Sequence, residues 1–202
     1  MVYLDEEIAK QLRKERMKEK KEREEQETAK ELEQLDEEKI AGDMEKGCCT
    51  VIDQQFSFSR RDILGERLNI LLPDGNLIVQ SNFQELFAAG DDQYEVGLNY
   101  VIAEEEQAFQ DWEVYKQNMQ NGLKESNIRF QWLEEGCVLN RENKLHYLEF
   151  LTSTGLGMLH NHMYICDLED GRLTVNINYK HEKEKYWKLL VKIMMEKMQL
   201  KR

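Results

Sequence analysis

The residues best suited to chemistry are three histidines near the carboxyl end of the sequence. His160 and His162 lie two positions apart in a segment of strand-like alternation, and His181 follows a second such segment. Alternate residues of a strand share one face and stand about 6–7 Å apart. Three imidazoles at one end of a hairpin could bind zinc and leave a fourth position for the water that attacks a substrate. One hypothesis for function is therefore a metal-dependent hydrolase using His160, His162 and His181.

The other candidate residues have simpler interpretations. The histidines could be sheet-edge residues bonded to neighbours, because no carboxylate or further histidine stands at a metal-motif spacing from them. Cys166 is a poor nucleophile if it lies on an apolar strand face, where the thiol pKa rises. Gly155-Leu-Gly157 lacks the Lys-Ser/Thr of a phosphate-binding loop and is followed by a strand. We therefore assign no catalytic, cofactor-binding or metal-binding residue and expect no cofactor.

Two strands and a helix must position these histidines. Met158–Asp167 and Arg172–Tyr179 alternate with a period of two, which predicts strands, and Asp170-Gly171 between them favours a type I′ hairpin turn. A helix from about Glu182 to Leu200 carries an apolar stripe that would cover the apolar face of the hairpin.

The register of this hairpin depends on its loop. A two-residue loop of Asp170 and Gly171 predicts these opposite residues: Cys166 with Val175, Tyr164 with Ile177, His162 with Tyr179, and His160 with His181. A three-residue loop with a bulge would shift the pairing by one residue and bring Ile165 and Met163 to the apolar face instead.

The remaining elements follow from apolar spacing and turn residues. A short helix begins at Ser81 and is closed by Gly90, and a long helix covers Glu104–Glu125. The further predicted strands are Cys49–Phe58, Ile63–Leu72, Tyr94–Ile102, Ile128–Trp132 and Lys144–Thr152. This mostly hairpin-connected order predicts an α+β fold with a largely antiparallel sheet of about six or seven strands flanked by helices.

The composition changes near Gly47, which predicts two parts. Residues 1–46 are rich in strong helix formers and read as a charged helical arm, and residues 47–202 read as one α+β domain. No apolar residue occurs between Lys18 and Thr28, so a continuous coiled-coil seam is not expected. We predict that deleting residues 1–46 leaves the thermal transition of the domain nearly unchanged.

Charge and composition argue against several classes of main partner. The formal net charge is −12, and both parts are acidic, whereas binding to nucleic acid or to anionic membrane requires a basic surface. The sequence has no apolar run long enough for a membrane span and no apolar signal-peptide core, so we expect a cytoplasmic protein. The four cysteines show no C-x-x-C spacing and are expected to be reduced.

Two stretches in this order of elements resemble the PsbP-like fold superfamily. They are Arg67-Leu-Asn-Ile-Leu-Leu-Pro73, and Tyr164–Tyr179 running into Tyr186-Trp187-Lys-Leu-Leu-Val191. The superfamily includes the extrinsic photosystem protein, a small Ran-GTPase-binding protein, DcrB-type bacterial proteins and effector-associated chaperones of bacterial secretion systems. Over about residues 50–200 the resemblance implies an α/β/α sandwich. It also implies a non-catalytic, adaptor-like or chaperone-like module that binds a protein partner, with the oligomeric state left open.

Overall fold

The chain divides into two compact units, residues 1–36 and 37–202. The computed structural model describes residues 13–14, 16–18, 20, 36–103, 112–140, 143–155, 157–169 and 171–201. In the first unit the described residues between 13 and 20 are helical and exposed, and the rest of the predicted arm helix before Asp36 lies outside the described residues. The helix Glu37–Glu45 belongs to the second unit, so the division precedes the predicted boundary at residue 46.

The described part of the second unit contains eleven strands and three α-helices. The helices are α1 (Glu37–Glu45), α2 (Trp112–Glu125) and α3 (Glu184–Glu196), the last preceded by a 3₁₀ turn at His181–Lys183. The strands are β1 (Cys48–Val51), β2 (Gln54–Ile63), β3 (Leu68–Pro73), β4 (Leu77–Asn82), β5 (Leu86–Asp91), β6 (Val96–Ala103), β7 (Phe130–Asn140), β8 (Asn143–Thr154), β9 (Gly157–Leu168), β10 (Gly171–Lys180) and β11 (Gln199–Leu200).

These strands form two antiparallel sheets. The larger has seven strands in the order β4-β5-β6-β10-β9-β8-β7, which confirms the predicted fold class and strand number. The smaller has the order β1-β2-β3-β11 and was not predicted. Its last strand is only two residues long and lies just beyond α3, where the sequence predicted continued helix.

The main core lies between the large sheet, α3 and the small sheet. Aromatic rings connect the three layers: Trp187 of α3 lies 5.6 Å from Phe56 of β2 and 6.1 Å from Tyr179 of β10, measured between ring centroids. All three side chains are buried. Large buried aromatic surfaces dominate core energetics, so these contacts join the two sheets into one core.

The opposite face of the large sheet contacts α2, which completes helices on both faces. The ring of Trp112 lies 4.9 Å from that of His146, and the Tyr115 hydroxyl donates to Met163 Sδ at 3.6 Å. This face of α2 is half-buried. Residues 104–111 of the predicted helix lie outside the described residues.

Three predicted elements in the first half of the domain were wrong. The segment Cys49–Phe58 is a hairpin of β1 and β2, because Ile52 takes a positive φ of 56° and turns the chain. Residues 64–67 form a turn, so the next strand begins at Leu68. The short helix predicted from Ser81 is the β4–β5 hairpin, in which the Phe83 amide donates to the Leu86 carbonyl at 2.8 Å.

Candidate functional site

The β9–β10 hairpin carries His160 and His162 on its buried face. The predicted register was wrong by two residues, since His162 lies opposite Ile177 and His160 opposite Tyr179. Gly171 has a φ of 150°, pairs with Leu168 and is the first residue of β10. The loop of the hairpin therefore comes before Gly171, earlier than predicted. Asp170 lies outside the described residues. An even shift keeps every side chain on its predicted face.

The neighbouring strand β8 adds a carboxylate to this face. Glu149 lies directly opposite His162, and its Oε1 is 2.6 Å from Nε2 of His160. Both side chains are buried. An ionised carboxylate only accepts hydrogen bonds, so His160 carries a hydrogen on Nε2 and donates it to Glu149.

Lys188 of α3 closes the network on its helix side. Its Nζ lies 3.2 Å from Glu149 Oε2 and 3.0 Å from Glu134 Oε2. Burial raises the pKa of Glu149, but the hydrogen bond from His160 and the charge of Lys188 outweigh burial and lower that pKa to about 2. Glu149 is therefore an ionised group in the core, which needs partners of this kind to be tolerated.

Tyr147 and Gly136 hold the outer carboxylate of the network. The Tyr147 hydroxyl donates to Glu134 Oε1 at 2.8 Å. A Cβ atom at Gly136 would lie 2.7 Å from the Tyr147 ring, so only glycine leaves room for this ring to cross β7. Glu134 in turn shares Lys188 with Glu149.

His162 has a different partner from His160. Its Nε2 lies 2.6 Å from the Tyr179 hydroxyl, and its ring stacks on that of His160 with centroids 4.8 Å apart. Burial lowers the pKa of His162 from 6.5 to about 4, although the charge of Glu149 acts to raise it. Burial likewise raises the pKa of Tyr179, so at neutral pH both groups are uncharged and share one hydrogen bond.

His181 joins His160 from the 3₁₀ turn before α3. The two Nδ1 atoms are 3.4 Å apart, and Glu184 Oε2 lies 3.4 Å from His181 Nδ1 and 3.9 Å from His160 Nδ1. Two groups of possible ligands therefore occur among the described residues, and each contains His160. They are Glu149, His160 and His162, and His160, His181 and Glu184. The structure does not bring the three predicted histidines into one such group.

The remaining predicted features keep their simpler interpretation. Cys166 is buried on the same face, and burial raises its thiol pKa to about 11. Trp187 is fully buried, whereas Trp112 and Trp132 are half-buried on the opposite side of the sheet. The glycines near residue 156 connect β8 and β9.

Sequence reasoning missed the two carboxylates nearest the histidines. Glu149 is the one acidic residue in the mostly apolar segment from Leu145 to Leu151. An acidic residue in a buried segment normally has a charged partner, so this position indicates a buried ion pair. Glu184 stands three residues after His181 and therefore faces it across one helical turn. Neither pattern shows that both carboxylates lie near His160, because His160 belongs to β9, whereas Glu149 lies in β8 and Glu184 in α3.

Two open clefts among the described residues lie away from the histidines. One of about 650 Å³ is bordered by charged residues that include Glu66, Arg67, Asp167 and Lys201. A shallower one of about 490 Å³ includes Phe83 and Gln84 from the β4–β5 turn. None of the histidines lines either cleft. Within the part of the chain that the structure describes, no helix has the length and apolar character to cross a membrane.

The comparisons with known proteins rest on structure alone. No protein-family model and no curated protein sequence matches the chain. The solution structure of cyanobacterial PsbP (CyanoP) from Synechocystis sp. PCC 6803 is similar, with a TM-score of 0.57 and 14% identity, over 77% of this chain and 98% of that one.

Two further solved structures are more distantly similar. Protein PA94 of Pseudomonas aeruginosa, of unknown function, has a TM-score of 0.45 and 8% identity over 72% of this chain and 97% of its own. A protein from Bacteroides thetaiotaomicron has a TM-score of 0.46 and 8% identity over 71% of this chain and 48% of its own. Together with the seven-stranded sheet and its flanking helices, the CyanoP match shows that the chain has the PsbP-like fold.

Proposed function

We propose that the domain is a non-catalytic module that binds an extended segment of another protein along strand β4. The observation that carries this proposal is the character of that edge. Among the described residues β4 pairs only with β5, so its outer main-chain groups are available for a further strand. The sequence Leu77–Asn82 contains no charged residue and no proline.

An apolar edge strand with little protection is unusual in a natural sheet. Charged side chains, proline or bulges normally keep edge strands from pairing with other chains. The β4 edge has only a register irregularity between Val79 and Ser81, and it exposes 49% of Ile78 and 68% of the adjoining Phe83. Added strands bind through main-chain hydrogen bonds and gain specificity from alternate side chains, which Ile78 and Phe83 can contact.

Local charge favours a basic partner segment. Glu85 and Asp92 are exposed at the two ends of β5, next to the β4 edge, and the whole chain carries a net charge of −12. An extended segment with alternating apolar residues and basic flanks would complement both features. The adaptors and chaperones within the PsbP-like superfamily support this class of function.

The same proposal includes a cytoplasmic location. All four cysteines are free, which suits a reducing compartment. The alternative function, a metal-dependent hydrolase using His160, His162 and His181, has less support, because His162 is buried and bonded to Tyr179.

Selection of displayed random peptides on the full-length protein tests the proposed binding mode. We expect enrichment of extended sequences with alternating apolar residues and basic flanks. The double variant Ile78→Lys, Val79→Lys should bind these peptides at least about tenfold more weakly, because two charges on the edge disfavour strand addition. Binding is measured with synthesised peptides by calorimetry.

Leu139→Lys is the matched control, since Leu139 is 74% exposed on β7, the opposite edge of the same sheet. It should bind the selected peptides as the wild type does. Equal binding by the double variant, or no enrichment of any peptide, would contradict the proposal. A wild-type dimer that the double variant loses in size-exclusion chromatography would identify a second copy of the chain as the occupant instead.

A further inference from the structure

Three donor atoms converge where β10 passes into α3. Nδ1 of His160, Nδ1 of His181 and Oε2 of Glu184 are separated by 3.4, 3.4 and 3.9 Å. Each belongs to a different kind of element: a central strand, a 3₁₀ turn and the first turn of a helix. Two ring nitrogens at 3.4 Å require either a proton or a cation between them, because two facing lone pairs repel each other.

The separations match the edges of a zinc tetrahedron. With Zn–N bonds of about 2.0–2.1 Å, two ligands of a tetrahedral site lie about 3.3–3.4 Å apart. Adjacent corners of an octahedron with bonds of about 2.1 Å lie only about 3.0 Å apart. The observed values of 3.4, 3.4 and 3.9 Å therefore fit the tetrahedral arrangement better and need only a small movement of Glu184.

The buried carboxylate of Glu149 supplies the support that metal-binding histidines usually have. A histidine that binds metal through one ring nitrogen commonly donates the hydrogen on its other nitrogen to a carboxylate, which fixes the tautomer and the ring orientation. His160 has this arrangement, with Nε2 2.6 Å from Glu149 Oε1 and Nδ1 directed toward His181 and Glu184. The hydrogen bond thus leaves the correct nitrogen free for a metal.

Burial of the three donors is graded from the core to the surface. The His160 side chain is fully buried, whereas 43% of His181 and 37% of Glu184 is exposed. An ion could enter from solvent, and the fourth position of a tetrahedral site would face water. The net negative charge of the chain also favours the approach of cations.

The second group of possible ligands is less suited to a metal. Glu149, His160 and His162 are all buried, whereas two of the three ligands in the other group are partly exposed to solvent. The 2.6 Å between Glu149 Oε1 and His160 Nε2 is a hydrogen-bond length and shorter than the edge of a zinc tetrahedron. His162 Nε2 is already bonded to Tyr179.

We propose that His160, His181 and Glu184 form a zinc site, with Glu149 orienting His160 and water completing the coordination. Two imidazoles and one carboxylate are a donor set that zinc accepts in proteins. The site holds α3 against β9 and β10 and differs from the predicted three-histidine set by exchanging His162 for Glu184. This inference is independent of the proposed binding along β4.

Zinc titration of the full-length protein tests the site. The protein is first dialysed against a chelator, and ZnCl₂ is then added in a calorimeter. We expect one zinc ion per chain, and a more than about tenfold loss of affinity in each of His181→Ala and Glu184→Gln. Zinc should also raise the melting temperature of the wild type but not of these variants, since a ligand that binds the native state stabilises it.

Two matched variants control for loss of a histidine and for loss of a negative charge. His146→Ala removes the one histidine outside the network, and Glu182→Gln removes an exposed charge two residues from Glu184. Both should bind zinc as the wild type does. His181 and Glu184 are partly exposed, so we expect their variants to fold, and circular dichroism checks this.

Three results would overturn the proposal. They are no zinc binding by the wild type, unchanged affinity in His181→Ala, or equal affinity in Glu184→Gln and Glu182→Gln. Cobalt substitution provides a second measurement, because Co²⁺ in this site should give the visible spectrum of a tetrahedral complex. An octahedral spectrum would also overturn the assigned geometry.

Discussion

At the residue scale, the buried carboxylates Asp91 and Glu149 are each paired with specific partners. Asp91 is buried, and its carboxylate accepts main-chain hydrogen bonds from Gly75 and Asn76 at 2.9 Å and from Tyr94 at 3.1 Å. Glu149 is satisfied by His160 and Lys188. An unpaired group in either place would carry a large desolvation cost, so these pairs fix which side chains can occupy the core.

The cysteines give a prediction at this scale, because burial separates them into two reactive classes. Burial raises the thiol pKa of Cys49 to about 12 and that of Cys166 to about 11, whereas Cys48 and Cys137 are exposed. The thiolate is the reactive form, so a raised pKa leaves little of it at pH 8. We expect iodoacetamide at pH 8 to label Cys48 and Cys137 in the native protein and all four cysteines in urea. Peptide mass spectrometry identifies the labelled sites, and rapid native labelling of Cys166 would contradict its placement.

At the element scale, α1 is part of the folded unit although its sequence resembles the charged arm. Ile40, Ala41 and Met44 are buried, and Glu37 forms an ion pair with Lys192 of α3 at 2.8 Å. Glu45 forms a further ion pair with Arg60. The apolar contacts carry most of the stabilisation, because exposed ion pairs contribute only about 0–1 kcal/mol each.

Two deletions separate α1 from the residues before it. Removing residues 1–36 leaves α1 in place, whereas removing residues 1–46 exposes the surface that Met44 and Ile40 cover. The sequence alone predicted a nearly unchanged transition after removal of residues 1–46, but the buried residues of α1 change this expectation. We now expect the second protein to melt at a lower temperature than the first, by roughly 5 °C or more for a loss of about 2 kcal/mol. Differential scanning calorimetry measures both. Equal melting temperatures would show that α1 adds nothing to the stability of the fold and would support the arm boundary predicted at residue 46.

At the scale of the whole domain, the two sheets share one aromatic core. Phe56 of the small sheet contacts the rings of Tyr94, Tyr186 and Trp187, at centroid distances of 5.0, 5.9 and 5.6 Å. Asn140 at the end of β7 donates to the carbonyls of Met195 and Met198, at 2.5 and 2.9 Å, and so secures the end of α3. The sheets should therefore unfold together.

Trp187→Ala tests this shared core. We expect a loss of about 3–5 kcal/mol in the free energy of unfolding, because the substitution leaves a large cavity between the sheets. Trp112→Ala, the same change at a half-buried position on α2, should cost less. Urea denaturation followed by far-UV circular dichroism and by fluorescence should give coincident curves for the wild type. Two separate transitions would show that the sheets are independent.

Much of the fold follows from local patterns in the sequence. The alternation in β6, β9 and β10 predicts strands and assigns His160 and His162 to one face, since side-chain direction in a strand depends only on parity. Apolar residues at helical spacing predict α3. The β4–β5 hairpin was missed because Ser81 and Gly90 also fit the ends of a helix, and pairing with β6 decides the outcome.

The sequence by itself determined the fold class, the buried face of β10 and the acidic character of the chain, because each depends on residue type and local spacing. Only the tertiary structure decided the hairpin register, the position of Glu149 opposite His162, and the meeting of His160 with His181 and Glu184. These depend on how strands pair and how α3 packs on them. The histidines were visible in the sequence, but their partners come from elements that only the folded chain brings together.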